Sequence, residues 1–331
     1  MKKMALYFEN LDDKTVRCLL CPHRCVLKDG NVGICGVRKN EKGLLMTLNY
    51  GEISSIAMDP IEKKPLFHFN PGDMILSVGT FGCNMKCGFC QNWEISQEKP
   101  FTRKVSPEQL VQIAKDRGSK GIAYTYNEPM IWFEFVLDTS RIAAREGLYN
   151  VLVTNGFIEE EPLELLLQSI HAMNIDLKGF NDDFYREIAG RRDTIMKTIE
   201  KAYKAGIHVE VTTLLIPTKN DNMEELEEEF KWLASLDKGI PLHLSRYFPN
   251  YKYVIPPTPL KTLLEAYTLA KKYLNYVYLG NVWDEKYEST VCPKCGSLVI
   301  RRKGYDVDPV GLDEEGRCKK CGHQIVKIYR Y

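Results

Sequence analysis

The sequence predicts an α/β chain: a partial (β/α)6 parallel barrel with small Cys-rich, metal-binding appendages at its N- and C-terminal ends. Three observations predict it. Apolar, β-rich runs alternate with amphipathic helical stretches at a spacing of roughly 30–35 residues, the pattern of parallel strands joined by right-handed crossovers. About six such units are too few to close an eight-stranded barrel. All 11 cysteines of the 331 residues fall into three clusters, and two of those clusters lie in the flanks. The expected division is an N-terminal Cys-cluster segment over 1–70, a barrel over 71–285 and a zinc-ribbon-like domain over 286–331. An open doubly wound sheet is the alternative arrangement of the same units.

The strands are expected at 74–78, 121–124, 150–154, 173–178, 208–216, 241–247 and 276–280, where β-branched and apolar residues run together. The helices between them have legible ends. Ser106 suits an N-cap, Pro107 the first helical position and Gln109 the far side of a capping box, and Gly118 closes that helix. Pro129 opens a second helix that stops at Gly147. Helices over 160–170, 194–205 and the acidic stretch 222–236 follow, and Thr258 with Pro259 is expected to cap the last one. In either architecture the functional residues belong on loops after the carboxyl ends of strands. The flanks are too short to build cores of their own and need metal to hold them.

Composition excludes several classes. Lys and Arg total 45 against 44 Asp and Glu, a net charge of +1, so no global field points to nucleic acid or an anionic membrane. No apolar run is long enough to span a bilayer, and the first residues lack the apolar core of a signal peptide. A cytoplasmic protein is expected. An odd number of cysteines in tight spacings without an export signal argues for metal ligands over disulfides.

The central cluster is Thr80-Phe81-Gly82-Cys83-Asn84-Met85-Lys86-Cys87-Gly88-Phe89-Cys90, directly after the first barrel strand. Three thiolates on one short loop suit three corners of a [4Fe–4S] cluster and leave the fourth iron without a protein ligand. An open coordination position marks a catalytic metal rather than a structural one. A three-cysteine zinc site completed by a distant histidine is the alternative. Gly82 and Gly88 let the backbone wrap closely. Beyond the cluster, no catalytic group is assigned.

This triplet resembles the signature of the radical S-adenosylmethionine (SAM) superfamily. The resemblance implies that the open iron chelates SAM. It also implies that an electron from the cluster breaks the sulfonium bond, and that a 5′-deoxyadenosyl radical then abstracts hydrogen from a substrate. It implies cofactor contacts from Phe89, before the last cysteine, and from Glu128, in the place of the family's Gly-Gly-Glu turn. It implies further contacts from Thr154 and Asn155 at the end of strand three, and from Asp176 and Lys178 at the end of strand four. A salt bridge at the rim is the bland alternative for the last pair. The closer likeness is to the AmmeMemoRadiSam-system radical enzymes. It rests on Cys18-Leu19-Leu20-Cys21-Pro22-His23-Arg24-Cys25, the stretch Asp59 to His68, Cys87 to Asn92, Tyr124 to Pro129 and His243-Leu244-Ser245-Arg246. A more distant likeness is to pyruvate formate-lyase activating enzymes. Thr212 stands where those carry an arginine, and Val153 replaces an acidic residue. Arg246 or His243 is the candidate for the missing polar work.

Cys292, Cys295, Cys318 and Cys321 form two Cys-x-x-Cys knuckles, each followed by glycine, and describe a closed tetrahedral zinc site, with an iron–sulfur cluster as the alternative. Lys294, Arg301, Arg302, Lys303, Lys319 and Lys320 surround them, a solvated face or a surface for RNA or protein. Cys18, Cys21, Cys25 and Cys35 suit zinc or an auxiliary Fe–S cluster equally. His68, among aromatics, reads as a core or interface histidine. The expected partners are SAM, an electron donor such as ferredoxin or flavodoxin, and an unknown substrate, protein or RNA among the candidates, with no membrane. Two other functions fit parts of the pattern: an activating enzyme that installs a glycyl radical on a partner protein, and a zinc-binding adaptor or RNA-binding protein without radical activity.

Overall fold

An eight-stranded sheet forms the centre of the computed structural model, which describes residues 2–12 and 14–326. Met1, Asp13 and the end of the expected C-terminal appendage, 327–331, lie outside the described residues. The sheet runs β1 (Ser55–Pro60), β2 (Met74–Gly79), β3 (Gly121–Tyr124), β4 (Tyr149–Thr154), β5 (Ala172–Asp176), β6 (His208–Leu215), β7 (Leu242–Arg246) and β8 (Val277–Gly280). Its spatial order is its chain order. A doubly wound sheet reverses order at a switch point. The absence of a reversal here leaves the barrel-like arrangement. β8 and β1 are not paired, so the sheet is an open, partial barrel. From β2 to β8 every pairing is parallel, with Tyr124 opposite Leu152, Thr154 opposite Ile175 and Asp176 opposite Thr212.

These strands read as near-continuous apolar runs because both faces are covered. The covering helices are α1 (Pro107–Asp116), α2 (Phe133–Arg145), α3 (Glu160–Leu167), α4 (Arg192–Lys204), α5 (Met223–Leu236) and α6 (Leu260–Ala270). The capping box forms as the sequence predicts: the Gln109 amide donates to Ser106 Oγ, and the Ser106 amide to Gln109 Oε1. The helix opened by Pro129 begins as a 3-10 turn, Pro129–Trp132, before α2. Pro259 caps α6 without a side-chain bond, and Thr258 does not cap it. The Thr258 hydroxyl instead accepts from the Tyr247 amide at 2.9 Å and donates to the Leu215 carbonyl at 2.6 Å, tying the ends of β6 and β7 together.

Most strand ends fall within a residue of the sequence reading, and two differences are larger. β5 stops at Asp176, so Lys178 belongs to the loop that follows. β1 was not expected. It pairs antiparallel with β2 and is only partly buried, so it carries no continuous apolar run to betray it. The C-terminal appendage is a three-stranded antiparallel sheet over Thr290–Val291, Leu298–Lys303 and Asp306–Asp308. It is locked to the barrel by Arg302, which is 0% exposed. That guanidinium donates to the Phe67 carbonyl at 2.6 Å and to Thr290 Oγ1 at 2.7 Å. Arg302 therefore leaves the basic face on which the sequence places it. His68 sits at the same junction, with Nε2 2.6 Å from the Tyr278 hydroxyl and Nδ1 2.8 Å from the Ile325 carbonyl. Among the described residues, no helix is long and apolar enough to cross a membrane.

One buried acid gives the fold a pH signature. Glu229 of α5 is fully buried, accepts a hydrogen bond from Thr213 Oγ1 at 2.5 Å, and leaves Oε2 without a partner. Burial pushes its carboxyl up to about 8, against the Thr213 bond. The folded state thus holds a proton that the unfolded state releases near pH 4.3. This contribution is complete at low pH and is lost as pH rises towards 8. Glu229→Gln is expected to shrink the drop in urea midpoint between pH 5.5 and pH 8.5. An undiminished drop would show that Glu229 is already ionised in the native state.

Candidate active site

The loop after β2 carries Cys83, Cys87 and Cys90, and it is held from every side. Asn127, in the loop after β3, accepts from the Thr80 amide and donates to the Gly82 carbonyl, both at 2.9 Å. Asn84 donates to the Phe157 carbonyl at 2.7 Å and accepts from Asn155 Nδ2 at 2.9 Å. The Lys86 amide donates to the Ile188 carbonyl at 2.9 Å. The Lys252 and Tyr253 amides both donate to the Gly88 carbonyl. A β-carbon on Gly88 would come within 2.5 Å of the Tyr253 ring, and one on Gly82 within 2.6 Å of the Cys35 carbonyl oxygen. Both glycines are required by close approach, and Gly82 also by its φ of +89°.

One cavity of about 650 Å³ opens beside this loop. It is lined by all three cysteines together with Phe89, Glu128, Thr154, Asn155, Asp176 and Lys178. The three central cysteines and the six residues that the resemblance implies as cofactor contacts are therefore brought to one place. Residues of β4, β6, β7 and β8 line the same cavity, as a curled sheet requires. Lys178 Nζ lies 2.8 Å from Asp176 Oδ2 and 5.9 Å from the Phe89 ring centroid. Burial works against the Lys178 charge, but Asp176 and Cys87 outweigh it and hold its pKa above the usual value. Phe89 is stacked on Phe184 and tilted against Tyr253.

Glu128, 2% exposed, is engaged by the protein itself. It accepts from Thr154 Oγ1 at 2.6 Å, the Asn155 amide at 2.8 Å and the Met130 amide at 2.9 Å. Burial, opposed by these donors, pushes its carboxyl up to about 7. It fastens the end of β4 to the loop after β3. Asn155 Nδ2 reaches Cys83 Sγ at 3.8 Å, a direct link from this clamp to the cysteine loop. His243 also lines the cavity, with Nε2 2.7 Å from Glu210 Oε2. Arg246 instead donates to the Thr258 carbonyl at 2.8 Å.

Sequence reasoning missed one group. Asp59, at the end of β1, accepts from Lys63 at 2.8 Å, Lys64 at 2.7 Å and the Tyr126 hydroxyl at 2.6 Å. Lys63, Lys64 and Tyr126 line the cavity. Tyr126 has φ +71°, a left-handed position where the resembled family has glycine. A non-glycine residue there costs about 1–2 kcal/mol, and the Tyr126–Asp59 bond helps to hold it. The stretch Asp59 to His68 was visible as a family-like motif, but its place beside the cavity was not. Phe67, Trp283 and Tyr305 complete the outer wall.

The three cysteine clusters differ in spread. Among the described residues, only Cys292, Cys295, Cys318 and Cys321 bring three or more ligand atoms within 4.8 Å of one another. The Cys292–Cys321 and Cys295–Cys318 sulfur pairs are each 3.6 Å apart. A tetrahedron of thiolates around one zinc at 2.3 Å has an edge of about 3.8 Å. A four-iron cube holds its thiolates farther apart, because metal–sulfide edges lie between them.

Comparison with known proteins agrees with this geometry. The Radical SAM superfamily matches residues 77–233. An uncharacterized protein of Methanocaldococcus jannaschii is 45% identical, with 97% of this chain and 98% of that protein covered. A GTP 3′,8-cyclase of Haemophilus influenzae is 24% identical over 77% of this chain and 80% of its own. A pyruvate formate-lyase-activating enzyme of Clostridium pasteurianum is 24% identical over 48% of this chain and 67% of its own. Among solved structures, Streptococcus suis SuiB bound to S-adenosylmethionine shares the fold at a TM-score of 0.51 and 16% identity, covering 62% of this chain and 52% of that one.

Asn127 contributes two buried hydrogen bonds and no cysteine. Asn127→Ala is expected to cost about 1–3 kcal/mol of stability and to lower the iron retained after anaerobic reconstitution. Unchanged urea midpoint and iron content would show that the loop holds its shape without this staple.

Proposed function

The chain belongs to the radical SAM superfamily, and from that premise we propose that it cleaves SAM reductively and abstracts hydrogen from a substrate bound in the outer half of the cavity. The observation that carries this reading is the three-cysteine loop opening into a cavity shared with a cationic, an anionic and an aromatic side chain. Cys83, Cys87 and Cys90 would hold the [4Fe–4S] cluster, which supplies the electron that converts SAM to methionine and a 5′-deoxyadenosyl radical. Asp176 and Lys178 offer opposite charges to an amino-acid zwitterion, and Phe89 offers a flat apolar face to a purine. Thr154, Asn155 and Glu128 set the position of the loop end against which the cofactor would lie.

On this reading residues 71–285 carry the chemistry, and 1–70 and 286–331 support it. The sulfur spacing of Cys292, Cys295, Cys318 and Cys321 favours zinc for the C-terminal site. A reducing, cytoplasmic setting suits the free thiols, and the electron would come from a ferredoxin or flavodoxin. The substrate side is formed by Lys63, Lys64, Phe67, His243, Trp283 and Tyr305. These come from all three segments of the chain, so the substrate class is particular to this arrangement. Thr212 in place of an activase arginine disfavours a glycyl-radical partner, and a cavity beside three cysteines disfavours a zinc adaptor.

Anaerobically reconstituted protein given dithionite and SAM is expected to release 5′-deoxyadenosine and methionine, and Cys87→Ala to release none. Lys178→Met is expected to raise the SAM concentration for half-maximal rate at least tenfold, the loss of about 1.4 kcal/mol of binding. A fully loaded wild type that forms no 5′-deoxyadenosine overturns the reading. One zinc per chain is expected, lost in Cys292→Ser.

A further inference from the structure

We propose that Cys18, Cys21, Cys25 and Cys35 hold a second, fully protein-ligated four-iron cluster, with the Arg38 guanidinium beside its sulfurs. The site is built by local structure. Val16–Cys18 and Val26–Leu27 pair antiparallel, and the Cys18 amide donates to the Cys25 carbonyl at 3.0 Å. A turn closed by the Arg24 amide on the Cys21 carbonyl, with Arg24 at φ +43°, folds Cys21 back. The Gly33 amide donates to the Arg38 carbonyl at 2.8 Å and brings the Cys35 loop across. A β-carbon on Gly33 would lie only 3.5 Å from Cys25 Sγ.

Spacing separates the two candidate metals. Among the described residues, no three of these four sulfurs gather within 4.8 Å of one another, whereas the C-terminal four do. Zinc at about 2.3 Å from each sulfur demands the tighter group. A cube accepts the wider one. The surroundings suit a polynuclear anion. The backbone N–H groups of Leu20, His23, Val37 and Arg38 lie close to the sulfurs, Leu20 by Cys18, His23 by Cys21, and Val37 and Arg38 by Cys35. Such N–H donors to sulfur set the potential of iron–sulfur centres.

Arg38 is the second, independent observation. It is 1% exposed and spends Nη2 on Glu134 Oε2 at 2.9 Å, but Nε and Nη1 have no partner. A buried guanidinium with idle donors is costly unless an acceptor faces it. Its charge acts on both Cys18 and Cys35. The sulfurs and sulfides of a cube are acceptors of the right charge. A positive charge there stabilises the reduced form, which carries one more negative charge, and so raises the potential.

The location gives the cluster a task that rests on the radical reading above. The Cys35 carbonyl lies against Gly82, and the His23 ring nitrogen is 2.7 Å from the Asn84 carbonyl. Both contacts flank Cys83. With every iron ligated, the second cluster has no open position for substrate. It takes one electron from a low-potential donor protein and yields it to the central cluster, with no bond made or broken.

The test is metal and sulfide content with Mössbauer and EPR spectra after anaerobic reconstitution. The triple variant Cys83→Ala, Cys87→Ala, Cys90→Ala is expected to retain about half the wild-type iron and a reducible four-iron signal that SAM does not perturb. An iron-free triple variant with one more zinc than the C-terminal site accounts for overturns the proposal, as does a wild type with only one cluster's worth of iron. Cys18→Ala with Cys21→Ala should keep a SAM-sensitive central signal. Its loss of SAM response while the triple variant keeps iron would count against the radical reading and leave the second cluster standing. If that pair fails to fold, wild type and triple variant still decide. In the triple background, Arg38→Gln with Glu134→Gln removes the buried pair without stranding either charge. It should lower the midpoint potential, and an unchanged potential overturns the placement of Arg38 beside the cluster.

Discussion

The loop from Thr80 to Cys90 contains no helix or strand, yet much of it is buried. Its backbone groups must therefore find partners elsewhere. They find them in Asn127, Ile188, Lys252 and Tyr253, from three different parts of the barrel rim. On the proposed reading this loop presents three sulfurs to one metal cluster, and it has little tolerance for register error, because a displacement of one residue would aim a thiolate the wrong way. The rim of the fold reads as a clamp for this loop. Glu128 fastens β4 to the loop after β3, Asn155 and Asn84 extend that fastening to Cys83, and Tyr253 closes over Gly88. The buried carboxylate is spent on shape.

Much of this was legible in the residues. The parallel strands are apolar runs of the right length, and Ser106 with Gln109 announces α1. The cysteine triplet is a spacing, and spacing survives without a structure. What was not legible depends on distant partners. β1 is a half-buried edge strand with Asp59 and Pro60 at its end, and only its pairing with β2 makes it a strand. The left-handed Tyr126 is stabilised by Asp59, 67 positions away in sequence. Arg302 counts as surface charge until Phe67 and Thr290 draw it inward. Lys178 reads as a strand residue because β-rich residues precede it, but the ladder with β6 ends at Asp176 and Thr212.

The floor of the cavity follows from the same logic. Glu210 of β6 is fully buried and accepts from His208 at 2.9 Å and His243 at 2.7 Å, and its Oε1 also takes the His68 amide at 2.7 Å. Against the burial that would raise it, the two histidines hold its carboxyl well below the usual range. His68 continues the chain of bonds to Tyr278 of β8, and Tyr278 meets Thr290 at 2.7 Å. Thr290 in turn receives Arg302. An unbroken polar path thus runs from His243, in the cavity wall, to the C-terminal appendage.

That path changes what the appendage is for. An open barrel leaves its last parallel strand, β8, without a following strand to pair with. The C-terminal sheet covers that side, and it can do so only if its own fold is secure. A sheet this small has little core, and a metal held by its four closely gathered thiols, as proposed, would steady it. Metal at the C-terminus would then act on the cavity through Arg302, Thr290, Tyr278 and His68, by holding His243 and Glu210 in one orientation. Moving a buried charge of this floor is costly, because it leaves an unpaired partner behind. The appendage is in this sense the outer wall of the site, although its cysteines take no part in the cavity itself.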